Sequence, residues 1–201
     1  MRSSLGSRQL SSMRPVEFVK QPKPGTCFPT AVYNACLFAG KKPPDLRYLI
    51  DLSGSGWIGS TIFSDRVIDA VRVRFRKALT ATILARAGLL TIWLPGGRHS
   101  VFCYCVDDDT VALVNAKLPG YQKTVVLVSP DFAYRLNRIT YEGTPHKDHL
   151  LLDIPTGEQP ISVHPVRVKP EAERRILKLG DTFLRRVGRL IYFARDLKER
   201  H

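Results

Sequence analysis

The chain has 201 residues, 44% of them hydrophobic, and a formal charge of +13. That content suits one well-filled core, and four cysteines without framework spacing exclude a disulfide-stapled small domain and point to a reducing, cytoplasmic setting. No apolar run approaches the ~20 residues that span a bilayer, which excludes a transmembrane helix.

In chain order, residues 1–14 carry Arg2, Arg8 and Arg14 and no acid. They lack the apolar centre of a secretory signal, and their Arg/Ser richness resembles a mitochondrial presequence and equally a disordered basic arm, of which the arm is the favoured reading. Residues 27–40 predict a helix, with Pro29 in its first turn and Gly40 just past its end. Lys41-Lys42-Pro43-Pro44 breaks the chain, and Asp45 caps a short helix through Leu46, Leu49 and Ile50. The run Ser53-Gly54-Ser55-Gly56-Trp57 predicts a flexible loop carrying one large aromatic. Ser64-Asp65 predicts the start of a helix through Val67, Ile68, Val71 and Phe75, with Arg72, Arg74, Arg76 and Lys77 on its solvated face. A helix over 80–88 and a buried strand over 89–94 follow. Residues 100–106 and 110–114 are rich in strand formers, and the turn Asp107-Asp108-Asp109 makes them a β-hairpin. From Lys169 to Arg200, Ile176, Phe183, Val187, Leu190, Ala194 and Leu197 recur at helical spacing, with Leu177, Leu184 and Ile191 widening the stripe. This is a long amphipathic helix with a basic outer face. Packing against its own core or a partner protein is the favoured role, ahead of lying on an anionic membrane.

Helices first and antiparallel strands afterwards is an α+β order, with an N-terminal helix packed on an antiparallel β-sheet. The expected organisation is a basic arm at 1–14, one domain at 15–157, and a basic C-terminal extension at 158–201 containing the amphipathic helix. The positive charge is dispersed rather than gathered in one stripe, and it admits an anionic partner, nucleic acid or a membrane surface, through the termini. His146, Asp148 and His149 have donor chemistry, but their Pro-flanked polar setting reads as a solvated loop. No metal and no cofactor are expected. Cys36, Cys103 and Cys105 read as small core hydrophobes.

Four residues point to chemistry. Cys27 opens the first helix, where unpaired N–H groups and the helix dipole favour an anion, and a thiol attacks carbonyls only as thiolate. Gln21 lies six residues earlier, so its carboxamide can converge on the same sulfur and donate to an oxyanion, together with the backbone N–H of Cys27. His99 begins the strand after Gly96-Gly97, and Asn115 ends the next one. Hairpin pairing brings the two together, so that the Asn115 side chain orients the imidazole and leaves its other nitrogen for the sulfur.

These runs, Gln21-Pro22-Lys23-Pro24-Gly25-Thr26-Cys27-Phe28-Pro29-Thr30-Ala31 and Gly97-Arg98-His99-Ser100-Val101, resemble the papain-like cysteine peptidases. They are most similar to free-standing relatives of the bacteriocin-leader (double-glycine) peptidases, in which a Gln precedes a Cys-Gly-Pro-Thr helix start and a Gly-His strand precedes a strand ending in Asp. The similarity covers about residues 17–136 and includes a loop at Pro119-Gly120, a strand over 123–128 and a helix start at Ser129-Pro130-Asp131-Phe132. Phe28 stands where the family has a small residue, bordering the substrate channel. Asn115 replaces the Asp of that group, and Cys105 a frequent Gly. The resemblance implies hydrolysis of a peptide or protein substrate after small residues, with Cys27 as nucleophile, His99 as proton carrier, Asn115 as orienting residue and Gln21 in the oxyanion hole. Two alternatives stand beside it: an inactive papain-like interaction module with basic arms, and an effector that deamidates or acylates a partner protein.

Overall fold

The computed structural model describes residues 14–54, 64–94, 97–138, 149–153, 160–180 and 182. Its centre is a seven-stranded sheet built from β2 (Arg74–Lys77), β3 (Ala87–Leu94), β4 (Gly97–Asp107), β5 (Thr110–Val114), β6 (Val125–Val128), β7 (Leu150–Asp153) and β9 (Val166–Arg167). The spatial order is β2-β7-β3-β4-β5-β6-β9, antiparallel except for the parallel pair β6–β9. A separate parallel ribbon joins β1 (Pro15–Val16) to β8 (Ile161–Ser162). The fold is therefore α+β with a mostly antiparallel sheet.

Successive residues on a strand face opposite sides, and here both sides are apolar. On β4, Phe102 and Tyr104 enter one core and Val101 and Cys103 the other. The first core lies under α1 (Cys27–Phe38), α2 (Leu46–Leu52) and α3 (Ser64–Asp69), and the second under α4 (Thr80–Leu84), α5 (Pro130–Arg138) and a helix over 170–180. Helices cover both faces, and α4, α5 and the 170–180 helix come between or after strands. The expected order of helices first and strands afterwards is corrected to an interleaved one.

Several local expectations match. Asp45 Oδ1 accepts from the Arg47 N–H at 2.7 Å and starts α2. Gly40 has φ +67, its N–H reaches the Leu37 carbonyl at 3.1 Å and that of Lys41 reaches Cys36 at 3.0 Å, so α1 ends in a Schellman motif. Asp108 and Asp109 form the two-residue turn of the β4–β5 hairpin.

Others are corrected. The helix expected through Phe75 ends at Asp69, and residues 74–77 form edge strand β2. Val71 and Val73 are buried while Arg72 and Arg74 are exposed, a period of two that favours extended chain. The helix over 80–88 stops at Leu84, and β3 already begins at Ala87. His149, expected in a solvated loop, is buried at the start of β7, 3.4 Å from the Asn137 side chain. His146, Asp148, Trp57 and residues 183–201 lie outside the described residues, as do residues 1–13 of the expected arm.

Residues 160–180, beyond the boundary expected at 157, are built into this fold. Strand β9 pairs with β6, and Val168, Ile176 and Leu177 are buried in the second core. Glu173 accepts from the Ser129 N–H at 2.8 Å and its hydroxyl at 2.7 Å, docking the 170–180 helix onto the start of α5. Arg14, assigned to the arm, donates to the Leu37 and Phe38 carbonyls at the end of α1 at 3.2 and 3.1 Å. Among the described residues, no helix is long and apolar enough to cross a membrane.

Candidate active site

Helix α1 and strand β4 set the geometry. At its C-terminal end, Phe38 packs on Tyr104 and Phe102 with ring centroids 4.7 and 5.2 Å apart, and Phe18 closes the cluster. A twelve-residue helix is about 18 Å long, so anchoring one end on β4 also fixes where the other end lies. That other end is Cys27. Pairing of β4 with β5 begins only at Phe102↔Val114, whereas β3 stays paired with β4 down to Gly97. Among the described residues, 97–101 therefore have no strand neighbour on one edge of β4, and Cys27 meets that edge at His99 and Ser100.

The Cys27 thiol is half-buried. Burial raises its pKa, but a hydrogen bond with the His99 side chain, the charge of that ring, and backbone donors at Ser100 and Phe28 outweigh the burial and lower it from 9.0 to about 7. The other thiols go the opposite way. Burial pushes Cys36 up to about 12 and Cys103 further still, and burial together with Asp107 and Asp108 raises Cys105. Four cysteines in one chain thus divide into one poised to ionise near neutrality and three that stay protonated, and none is in a disulfide.

His99 is buried, and its Nε2 lies 2.5 Å from the Asn115 carbonyl oxygen. A carbonyl only accepts, so Nε2 carries the proton and Nδ1 is left for the sulfur. The contact differs from the expected one: the backbone of Asn115 holds the ring, and its side chain does not. Asn115 has φ +60, which turns its carbonyl out of the β5 ladder and toward His99, and Asn tolerates that left-handed conformation. Its Nδ2 donates to the Val19 carbonyl at 2.7 Å, and its N–H to Thr124 at 2.7 Å.

Gln21 lies in the loop leading to Cys27. Its Nε2 donates to the Lys23 carbonyl at 2.6 Å, an oxygen that also accepts the Thr26 hydroxyl at 2.7 Å, while Gln21 Oε1 is buried with no hydrogen-bond partner among the described residues. One amide N–H is thus spent on holding the loop. Phe28 packs against the first core rather than standing free. No group of three or more metal-ligating side chains occurs among the described residues.

Neither a protein-family model nor a curated protein matches this chain. The functional reading therefore stands on the residues themselves.

Sequence reasoning found Cys27 and His99, which the structure brings together. It missed the Val19 carbonyl, the Ser100 amide and Asn34. The last of these left a signal, as a lone carboxamide among the apolar residues of α1.

Proposed function

We propose that this chain is a papain-like cysteine hydrolase that cleaves a peptide bond through Cys27 and His99. The observation that carries the reading is the Cys27 thiol lowered to about 7 beside an imidazole whose far nitrogen is tied to a carbonyl. A thiol in that state is substantially ionised at neutral pH, and its proton rests on His99 Nδ1.

The thiolate attacks the substrate carbonyl carbon, and a C–S bond forms as the carbonyl π pair moves onto oxygen. The second N–H of Gln21 and the Cys27 backbone N–H are the donors for that oxyanion, each worth about 3–4 kcal/mol in comparable sites. His99 then passes its Nδ1 proton to the leaving amine as the C–N bond breaks, giving a thioester. Water then attacks the thioester carbon as His99 takes its proton, a C–O bond forms, and the C–S bond breaks to release the acid product and return the Cys27 thiolate. Throughout, the Asn115 carbonyl holds Nε2–H, stabilising the imidazolium as the buried carbonyl of an orienting residue can.

The test is hydrolysis of a degenerate peptide library, read by mass spectrometry. The reading expects cleavage by the native chain, none by Cys27→Ala, and a thioester at Cys27 trapped by acid quench. Gln21→Ala should keep a reactive thiol and lose about 10²–10³ in turnover. A Cys27 that alkylates readily near neutrality while no peptide is cut and no acyl group is trapped would favour the inactive module. The buried Oε1 of Gln21, without a partner among the described residues, is the observation on that side.

A further inference from the structure

We propose that Asn34 is a positioning residue for the Cys27–His99 pair, acting through the Val19 carbonyl that it shares with Asn115. The inference rests on the hydrolase reading above and adds to it a residue that touches neither reacting atom.

Asn34 sits in α1 seven residues after Cys27, two turns along, which returns it to nearly the same side of the helix. It is fully buried, in a helix whose other buried positions include Ala31, Val32, Ala35 and Cys36. A buried carboxamide costs free energy unless its polar atoms are satisfied, and an aliphatic side chain would pack here without that requirement. Among the described residues Asn34 is satisfied by Val19 alone: Oδ1 accepts the Val19 N–H at 3.0 Å and Nδ2 donates to the Val19 carbonyl at 3.1 Å. The side chain grips both polar groups of that peptide backbone, much as a neighbouring strand would.

The Val19 carbonyl accepts a second donor, Asn115 Nδ2, at 2.7 Å. Asn115 is fixed at two further points, its N–H on Thr124 and its carbonyl on His99 Nε2. The contacts close a ring. Helix α1 holds Val19 through Asn34, Val19 holds Asn115, Asn115 holds His99, and His99 meets Cys27 at the start of the same helix. The left-handed Asn115 is the weak member, because nothing in its own backbone preference aims the carbonyl at the ring. Asn34 supplies the anchor that gives this turn its place relative to the sulfur, and it also fixes the segment in which Gln21 lies two residues on. Phe18, buried against Phe102 and Tyr104, keeps that segment on the fold without Asn34. Loss of the carboxamide therefore loosens the aim of the imidazole more than it loosens the domain.

The experiment is the rate of Cys27 alkylation by iodoacetamide as a function of pH, read by peptide mass spectrometry on folded protein. The variants are Asn34→Ala and Asn34→Leu, the second similar in volume so that the core stays filled if the first does not fold. Leu136→Ala, buried in the core on the opposite face, is the control for plain destabilisation. The inference expects the alkylation midpoint of the Asn34 variants to rise by about one pH unit, because the imidazole no longer favours the thiolate to the same degree. On a cleaved peptide, turnover should fall about 10–100-fold with KM little changed, as small misplacements do. The Leu136→Ala midpoint should stay at the native value despite a lower melting temperature. An unmoved midpoint in both Asn34 variants, with rates that fall only as the folded fraction falls, would overturn the inference and leave the hydrolase reading standing. A native protein whose Cys27 titrates like an ordinary thiol would overturn both.

Discussion

At the residue scale, one atom decides how His99 is held, and it belongs to a backbone. From sequence, the carboxamide of Asn115 is expected to orient the ring, and an Asn at the end of a strand is also a natural turn former. Both descriptions meet in the structure. The residue leaves the strand with φ +60, and this exit presents its carbonyl to Nε2. The hairpin register explains why the simpler expectation missed. Phe102 pairs with Val114, so a straight continuation would set His99 beyond Asn115, and only the left-handed turn brings them together. A substitution separates the two modes. Asn115→Gly keeps the carbonyl and the positive φ, whereas Asn115→Ala adds about 1 kcal/mol of left-handed strain. With backbone orientation, Asn115→Gly should retain several-fold more alkylation rate at neutral pH than Asn115→Ala. Equal and near-complete loss in both would return the role to the side chain.

At the element scale, the positions that were legible in the sequence are those where local chemistry and packing agree. Asp45 as a cap, Gly40 as a stop, and the aspartate turn before Thr110 each need only their neighbours to be understood. The helix at Ser64–Asp69 stands as expected, but its extension through residue 77 carries the wrong period, because Val67, Ile68, Val71 and Phe75 fit a helical stripe while Val71, Val73 and Phe75 fit an alternating one equally well. Pairing with β7, more than seventy residues away along the chain, settles it. The same strand β7 passes close to β3 at Gly88. A Cβ built there would stand 2.3 Å from the Leu150 carbonyl oxygen, a clash with backbone that no rotamer relieves. Gly88→Ala should cost about 3 kcal/mol, near the upper range for overpacked cores, and a denaturant titration with unchanged slope would read it. A cost under about 0.5 kcal/mol would mean that β3 and β7 are not held this closely.

At the scale of the whole molecule, the sheet carries apolar side chains on both faces, so it is complete only when both are covered. The sequence carried a short signal of this, since the run Val111-Ala112-Leu113-Val114 does not alternate, and in the structure all five positions of β5 are buried. The C-terminal part was harder to place, because its amphipathic stripe fits a partner surface as well as the chain's own core. In the structure its first turns lie on that core, through Ile176, Leu177 and the Glu173–Ser129 contact. A chain ended at residue 157 would lose Val168, Ile176 and Leu177 from the interior, at roughly 1.5–3 kcal/mol each, together with strand β9. That is comparable with the whole stability of an ordinary domain. Such a chain should show no cooperative thermal transition by circular dichroism. A sharp transition near that of the full chain would mean that residues 158–201 are not needed to complete the core.

The central claim is that His99 makes a thiolate of Cys27 near neutrality, and the pH dependence of Cys27 alkylation tests it most directly. The Cys27 pKa is depressed in the fold, so its reactive form is present above about pH 7 and lost as pH falls through that value. In His99→Ala the two contacts of the ring go while burial and the backbone donors at Ser100 and Phe28 stay, so the midpoint should climb to that of an ordinary thiol or past it. Native and His99→Ala proteins that titrate together, both at the ordinary thiol value, would contradict the account.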